Sequence, residues 1–264
     1  SVLEVAPGRV DEIAGALLGE VRGGELVALG GGRVIDVAKA LAAADPPRRV
    51  AAIPTTLSGA EMTAVHRHAA SVASDVPRVR PQLVLNDPAL CASQPVTDLV
   101  QSAANALGHA AEGPLTPLGN PVAALAAVES ARWLATGLHG SGEPDEAGRD
   151  GLALGALLAG YAIGSTGYGL HHVMSQTLAR FTAVNHAQAN TLMLPHTLRA
   201  LAGRDAGDFF PRLDQAVGGS VAEFAERLRD RGGLTRLSDE GVTESDLETC
   251  IEQAAQRPEL HLTP

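Results

Sequence analysis

Residues 102–113, SAANALGHAAEG, set Asn105, His109 and Glu112 four and then three residues apart. On a helix that spacing makes one polar stripe on an otherwise small, apolar segment. Further along, LHHVMSQTLARF (170–181) carries His171, His172 and Gln176, and NHAQANTLMLPH (185–196) carries His186 and His196. Neutral imidazoles from three helices converging on one cleft would suit Zn²⁺ or Fe²⁺. Hydrogen-bonded core or surface histidines are the other reading of the same residues. His171 and His172 point about 100° apart on a helix, so only one of them easily joins His109. An Asp at position 105 would favour metal; the neutral Asn does not.

The first third of the chain offers a second chemistry. GGGRVIDVAK (30–39) places Gly30, Gly31 and Gly32 between an apolar run and a helical pattern. Glycine admits close backbone approach to a phosphate, and free N–H groups at a helix start attract it. The run lacks the GxGxxG fingerprint, so a plain tight turn competes with it. PTTLSGAE (54–61) follows another apolar run and carries hydroxyls at Thr55, Thr56 and Ser58. In a parallel sheet both turns lie at the carboxyl edge of the strands, where open α/β folds bind ligands.

The elements that must position these residues are legible from periodicity. Strands are expected at 24–32, 49–54 and 81–90, with a helix over 34–44. Strand–helix–strand units on short connections imply a parallel sheet covered by helices. After about Ser93 helical periodicity takes over, with helices predicted at 95–112, 121–138, 150–166, 169–182, 187–201, 220–232 and 243–256. The segment 137–150 reads as an exposed loop. The layout is therefore an α/β part over 1–93, nucleotide-binding and with a truncated Rossmann-like parallel sheet, followed by an all-helical part over 94–264.

Bulk properties exclude several classes. A formal charge of −10 argues against nucleic acid or an anionic membrane surface as partner. Cys91 and Cys250 are the only cysteines, so a disulfide framework is not expected and a reducing cytoplasm is. The longest apolar run, LALGALLAGYAIG (152–164), is short and interrupted by glycine, which fits a buried helix rather than a membrane span. SVLEVAPGRVDE at the start shows no signal peptide.

Taken in order, these motifs resemble the iron-containing (group III) alcohol dehydrogenase family, within the dehydroquinate-synthase-like fold. GGGRVIDVAKA is similar to its pyrophosphate loop, and IPTTLSGAEMT to its second phosphate and nicotinamide loop. NDPAL (86–90) is similar to its interdomain turn, NALGHAAE to its first metal-helix motif, and GLHH with NHAQAN to its later histidine positions. The short TTLSGAEMT spacing, Asn105 and the doubled histidine are most similar to the maleylacetate reductase branch. The resemblance implies hydride transfer between NAD(P)H and a small oxo-acid, ketone or alcohol. It implies Gly30, Gly31, Gly32, Asp36, Lys39, Thr55 and Thr56 at the cofactor, where the residues themselves add Arg33 and Ser58 as candidates. It puts Asn105, His109, His172 and His186 at the metal positions, His109, His172, His186 and Gln176 at the chemistry, and a homodimer as the assembly.

This sequence departs from the family pattern in ways that bear on mechanism. Asn105 replaces a carboxylate ligand, which counts against iron or zinc. Gln176 stands where many relatives carry a histidine, and a glutamine does not titrate. Arg33 replaces a serine, adding a cation suited to phosphate or a substrate carboxylate, and Ala60 replaces another serine. Only 29 residues precede Gly30, where the family places about 60 more by typical element lengths; the first elements of the nucleotide layer are expected to be lacking. With Asn105 neutral, an imidazolium at His109, His172 or His186 is the expected substitute for metal in polarising a carbonyl. A non-redox cyclase or lyase, and a binding protein with a degraded site, are the competing functions on the same scaffold.

Overall fold

A parallel sheet of β1 (Glu25–Gly30), β2 (Arg49–Pro54) and β3 (Leu83–Val84), in that order, lies beneath α1 (Val10–Leu17) and α2 (Gly32–Ala44). The coordinates are a computed structural model that describes all residues of the chain except Ser141 and Ala206. The β1–β2 register runs from Glu25 opposite Arg49 to Gly30 opposite Pro54. Both strands therefore end at the same edge, and the turns 30–32 and 55–59 leave it side by side. The third strand is much shorter than expected over 81–90. Asn86 leaves the sheet to donate its side-chain amide to Ala153 O at 3.1 Å, and Asp87 caps a 3₁₀ turn at Pro88–Ser93.

Beyond it the described residues are helical: α3 (Val96–Glu112), α4 (Pro121–Gly137), α5 (Glu146–Thr166), α6 (Leu170–Phe181), α7 (His186–Ala202), α8 (Phe209–Val217), α9 (Val221–Arg231) and α10 (Glu244–Ala255). Caps explain several starts. Asn120 and Asp145 accept from the amides of Ala123 and Gly148, and capping boxes open α7 (Asn185, Gln188) and α10 (Thr243, Asp246). Asp145 starts α5 four residues before the loop was expected to end; Ser141, within that loop, lies outside the described residues. Two helices were not expected. In α1 the positions Val10, Ile13, Ala14 and Leu17 share one face and pack on α2. In α8, Pro211 reads as a breaker in sequence but falls in the first turn, where its missing N–H has no partner to lose.

The main core joins α3, α4, α5, α7, α8 and α9 through alanine and leucine. Small residues let axes approach: a Cβ on Gly155 would sit 3.1 Å from Leu134 Cγ, and one on Gly151 3.1 Å from the Trp133 ring. α3 runs through this core with both ends of its polar stripe sealed in. Both cysteines are free and buried, Cys91 in the main core and Cys250 in a smaller cluster with Leu178 and Ala189. No helix among the described residues is long and apolar enough to cross a membrane.

Candidate active site

Gly31 precedes the first turn of α2 and no side chain caps it, so the leading amides of that helix have no intrahelical partner. Thr55 N donates to Gly30 O at 3.0 Å, tying the second turn to the first. A Cβ on Gly31 would lie 3.0 Å from Thr56 Cγ2, and one on Gly32 3.0 Å from Ser58 Cβ. The glycines thus admit the neighbouring turn as well as any ligand. Arg33 is exposed beside the free amides. These residues fit a pyrophosphate: bare backbone, a helix N-terminus, hydroxyls opposite and no acidic side chain in the first turn.

Lys39 corrects the expectation of direct cofactor contact. It has no exposed surface, and its Nζ donates to Ala60 O (2.8 Å), Thr63 O (3.1 Å) and Val65 O (2.8 Å) and pairs with Asp36 Oδ1 at 2.8 Å. A fully enclosed ammonium with these partners holds the loop after the second turn and does not reach a ligand. Burial lowers the Lys39 pKa and raises that of Asp36, each opposed by the other's charge. Glu61, beside them and 3% exposed, is pushed up to about 7 by burial, and its Oε2 has no partner.

The second turn also touches the helical half. Gly59 is left-handed (φ 71°), and a Cβ there would lie 3.1 Å from His109 Nδ1 and 3.2 Å from Gly160 Cα. One turn earlier on α3, Asn105 Nδ2 donates to Ser58 O at 3.4 Å and leaves its Oδ1 buried without a partner. Across from α3, His172 stacks on His109 with ring centroids 4.6 Å apart and planes 19° from parallel. Glu112 fixes that geometry. Its carboxylate accepts from His171 N at 2.5 Å and from His172 Nδ1 at 2.8 Å, capping α6 and fixing the ring that faces His109.

His171 turns away, as helix geometry requires. Its Nδ1 meets Thr197 Oγ1 at 2.9 Å, and its Nε2 fills the space beside Gly108, where a Cβ would be 2.5 Å away. His186 opens α7 with an exposed side chain, and His196 is exposed on the same helix. Gln176 follows His172 by one turn and accepts from Arg257 Nη2 at 3.0 Å. Burial drives His171 and His172 down to about 3 and His109 well below its ordinary value. The expected resident imidazolium is therefore corrected: even with Glu112 beside them, burial penalises the charged form enough to leave the His171 and His172 rings neutral.

The donor set does not fit a resident divalent metal. Among the described residues no group of three or more His, Cys, Asp or Glu side chains is arranged to hold one. The carboxylate bonded to the rings, Glu112, is engaged behind His172, and Asn105 brings no charge. Two surface cavities of about 300 and 350 Å³, one including Arg199 and Asp214 and the other His139 and Arg227, share no residue with this cluster. Sequence reasoning missed Tyr168, Arg257 and Glu259, which join the cluster from distant positions: the Tyr168 ring lies 5.7 Å from that of His172, and its OH donates to Glu259.

The C-terminal model of the Fe-containing alcohol dehydrogenase family matches residues 99–264. Maleylacetate reductase 1 of Rhodococcus opacus is 34% identical over 259 residues, covering 96% of this chain and 72% of the relative. The maleylacetate reductase of Burkholderia cepacia is 32% identical over 239 residues, covering 88% and 67%. The crystal structure of maleylacetate reductase from Agrobacterium tumefaciens superposes with a TM-score of 0.85 at 28% identity, covering 97% of this chain and 75% of that one.

Proposed function

The chain belongs to the Fe-containing alcohol dehydrogenase family, and from that premise we propose that it is an NAD(P)H-dependent reductase of a small oxo-acid of the maleylacetate class, working without a resident metal. One observation carries this reading. The turn that resembles the nicotinamide loop, Ser58–Gly59, is bonded to Asn105 and packed against His109, so cofactor side and substrate side share one wall. In this reading 1–93 supplies the nucleotide half and 94–264 the histidine half.

The bound cofactor supplies a hydride. The residues that would hold its phosphates are Gly30–Gly32, the α2 amides, Arg33, Thr55, Thr56 and Ser58, with Asp36 and Lys39 bracing them from below. Whether hydride reaches the carbonyl carbon or the end of a double bond conjugated to it, the electron pair ends on the same carbonyl oxygen. That oxygen needs a donor. His172 spends its Nδ1–H on Glu112 and presents Nε2, buried and unpartnered, as an acceptor. The donor at the carbonyl is then His109, or His172 once an entering carboxylate restores its proton. Asn105 Oδ1 adds a second acceptor for a substrate hydroxyl or acid.

No observation favours the non-redox alternative. The reading carries the homodimer that the family resemblance implies and a reducing cytoplasmic setting, the latter supported by two free, buried cysteines. The test is consumption of NADH and NADPH by the purified chain with a panel of oxo-acids, ketones and alcohols, after dialysis against chelator. Turnover of an unsaturated oxo-diacid is expected; nucleotide binding with no turnover of any oxo-acid would sink the proposal.

A further inference from the structure

The last described turn of the chain is built onto the site. Residues 257–263 cross the α5–α6 connection so closely that a Cβ on Gly169 would sit 2.7 Å from Thr263 Oγ1, and one on Gly167 3.3 Å from Leu262 Cδ1. This crossing carries Arg257 and Glu259 to the His172 face of α6. Arg257 Nη2 donates to Gln176 Oε1 at 3.0 Å and lies 3.5 Å from Tyr168 OH, while Nε donates to Glu259 Oε2 at 3.0 Å. Tyr168 OH closes the ring by donating to Glu259 Oε1 at 3.2 Å. Tyr168 is itself the aromatic neighbour of His172. The guanidinium therefore stands one side chain away from the stacked histidines.

Two of its three nitrogens are committed, and Nη1 makes no hydrogen bond among the described residues. The side chain is 26% exposed, so it is held on one side and open on the other. Such a fork is already ordered for a planar anion. A diacid needs a second cation beyond whatever meets its first carboxylate. Lys39 is enclosed and fully occupied, and Arg80 Nη2 is tied to Gly164 O.

We propose that Arg257 is a specificity-determining residue that takes a terminal carboxylate of a linear oxo-dicarboxylate, with Tyr168, Gln176 and Glu259 holding the guanidinium in register. This rests on the reading of the chain as an oxo-acid reductase. Glu259 neutralises the cation until a substrate carboxylate arrives, so removing its charge strengthens anion binding.

The experiment uses the full chain and three variants, Arg257→Gln, Arg257→Lys and Glu259→Gln. Each is assayed with an oxo-dicarboxylate and with the oxo-monoacid lacking the distal carboxylate, and each is titrated calorimetrically with adipate, a non-reacting six-carbon diacid. For Arg257→Gln we expect KM for the diacid to rise about 10- to 100-fold, the worth of one charge-assisted contact, with kcat and the monoacid KM nearly unchanged. Arg257→Lys recovers part of the loss, and Glu259→Gln lowers the diacid KM. Equal loss on both substrates, or a lowered melting temperature with the diacid preference intact, would mean that Arg257 only straps the 257–263 turn to α6. The calorimetry separates this from the reductase reading. If no oxo-acid turns over, loss of adipate binding in Arg257→Gln still upholds the anion site. Adipate binding that survives in Arg257→Gln, or is absent from the unmodified chain, overturns it.

Discussion

Glu112 grips His172 from the end of α3, through an Nδ1–H···Oε2 bond of 2.8 Å, while the same carboxylate receives the first amides of α6. One side chain thus sets both where α6 begins and which imidazole nitrogen faces the stacked partner. Burial raises the Glu112 pKa, opposed by the nearby His171 and these amides. Glu112→Gln keeps the shape but offers one acceptor where two are used. Loss of the tautomer is expected to lower kcat about 10- to 1000-fold with little change in cofactor affinity. Glu112→Ala strands several buried donors and is expected to cost about 2–4 kcal/mol in denaturant melts. A Gln variant with unchanged kcat would remove the positioning role.

At the nucleotide turn, Gly31→Asp brings a negative charge to the helix start where phosphate must lie. Reduced-nicotinamide affinity, followed by fluorescence titration, is expected to fall at least about ten-fold. Gly31→Ala is the control for crowding against Thr56, 3.0 Å from the added Cβ. Equal affinities for the Asp variant and the unmodified chain would displace the cofactor from this turn.

Asn105 decides the metal question. The unmodified chain, dialysed against chelator and then metal-free buffer, is expected to retain well under one equivalent of iron or zinc. Asn105→Asp supplies the missing anionic ligand beside His109, and metal uptake is expected to rise. Stoichiometric metal in the unmodified chain would show that the neutral donor set suffices.

Glu61 gives a pH signature. Its folded pKa, about 7, lies above the ordinary 4.5, so the folded state holds a proton that the unfolded chain releases. Its contribution is fully present below about pH 4.5 and is lost as pH rises through 7. Glu61→Gln mimics the protonated acid and is expected to stabilise the protein by about 1–3 kcal/mol at pH 8 and little at pH 4.5. The histidines act oppositely. His171 and His172 titrate near 3 when folded, so they withdraw stability as pH falls from 6.5 towards 3. Melting temperatures across pH 4–9 for both proteins check the crossing.

The two turns, the α3 stripe and the limit of one ring from the His171–His172 pair were legible because each depends on local spacing; that the ring is His172 was implied by the family resemblance. The sequence did not show Lys39 as a buried brace, since only the fold reveals that its carbonyl partners at 60, 63 and 65 surround it. Nor did it show the imidazoles as neutral, since desolvation is a property of the packed cluster. Tyr168, Arg257 and Glu259 were hidden for another reason. Gln176 and Arg257 are 81 positions apart, and no periodicity links the middle of one helix to a turn after the last.

Cys91 and Cys250 lie 4% and 1% exposed, in separate clusters, with their thiols pushed up, Cys91 to about 11. Neither is reachable as a thiolate in the closed fold. Each can react with a thiol reagent only when its own surroundings open, so the pair forms a built-in clock for local unfolding. Cys91 times the opening of the main core, and Cys250 the detachment of α10, the helix that leads into Arg257. Their labelling rates, compared with and without a bound diacid, report how firmly residues 257–263 are latched to the site.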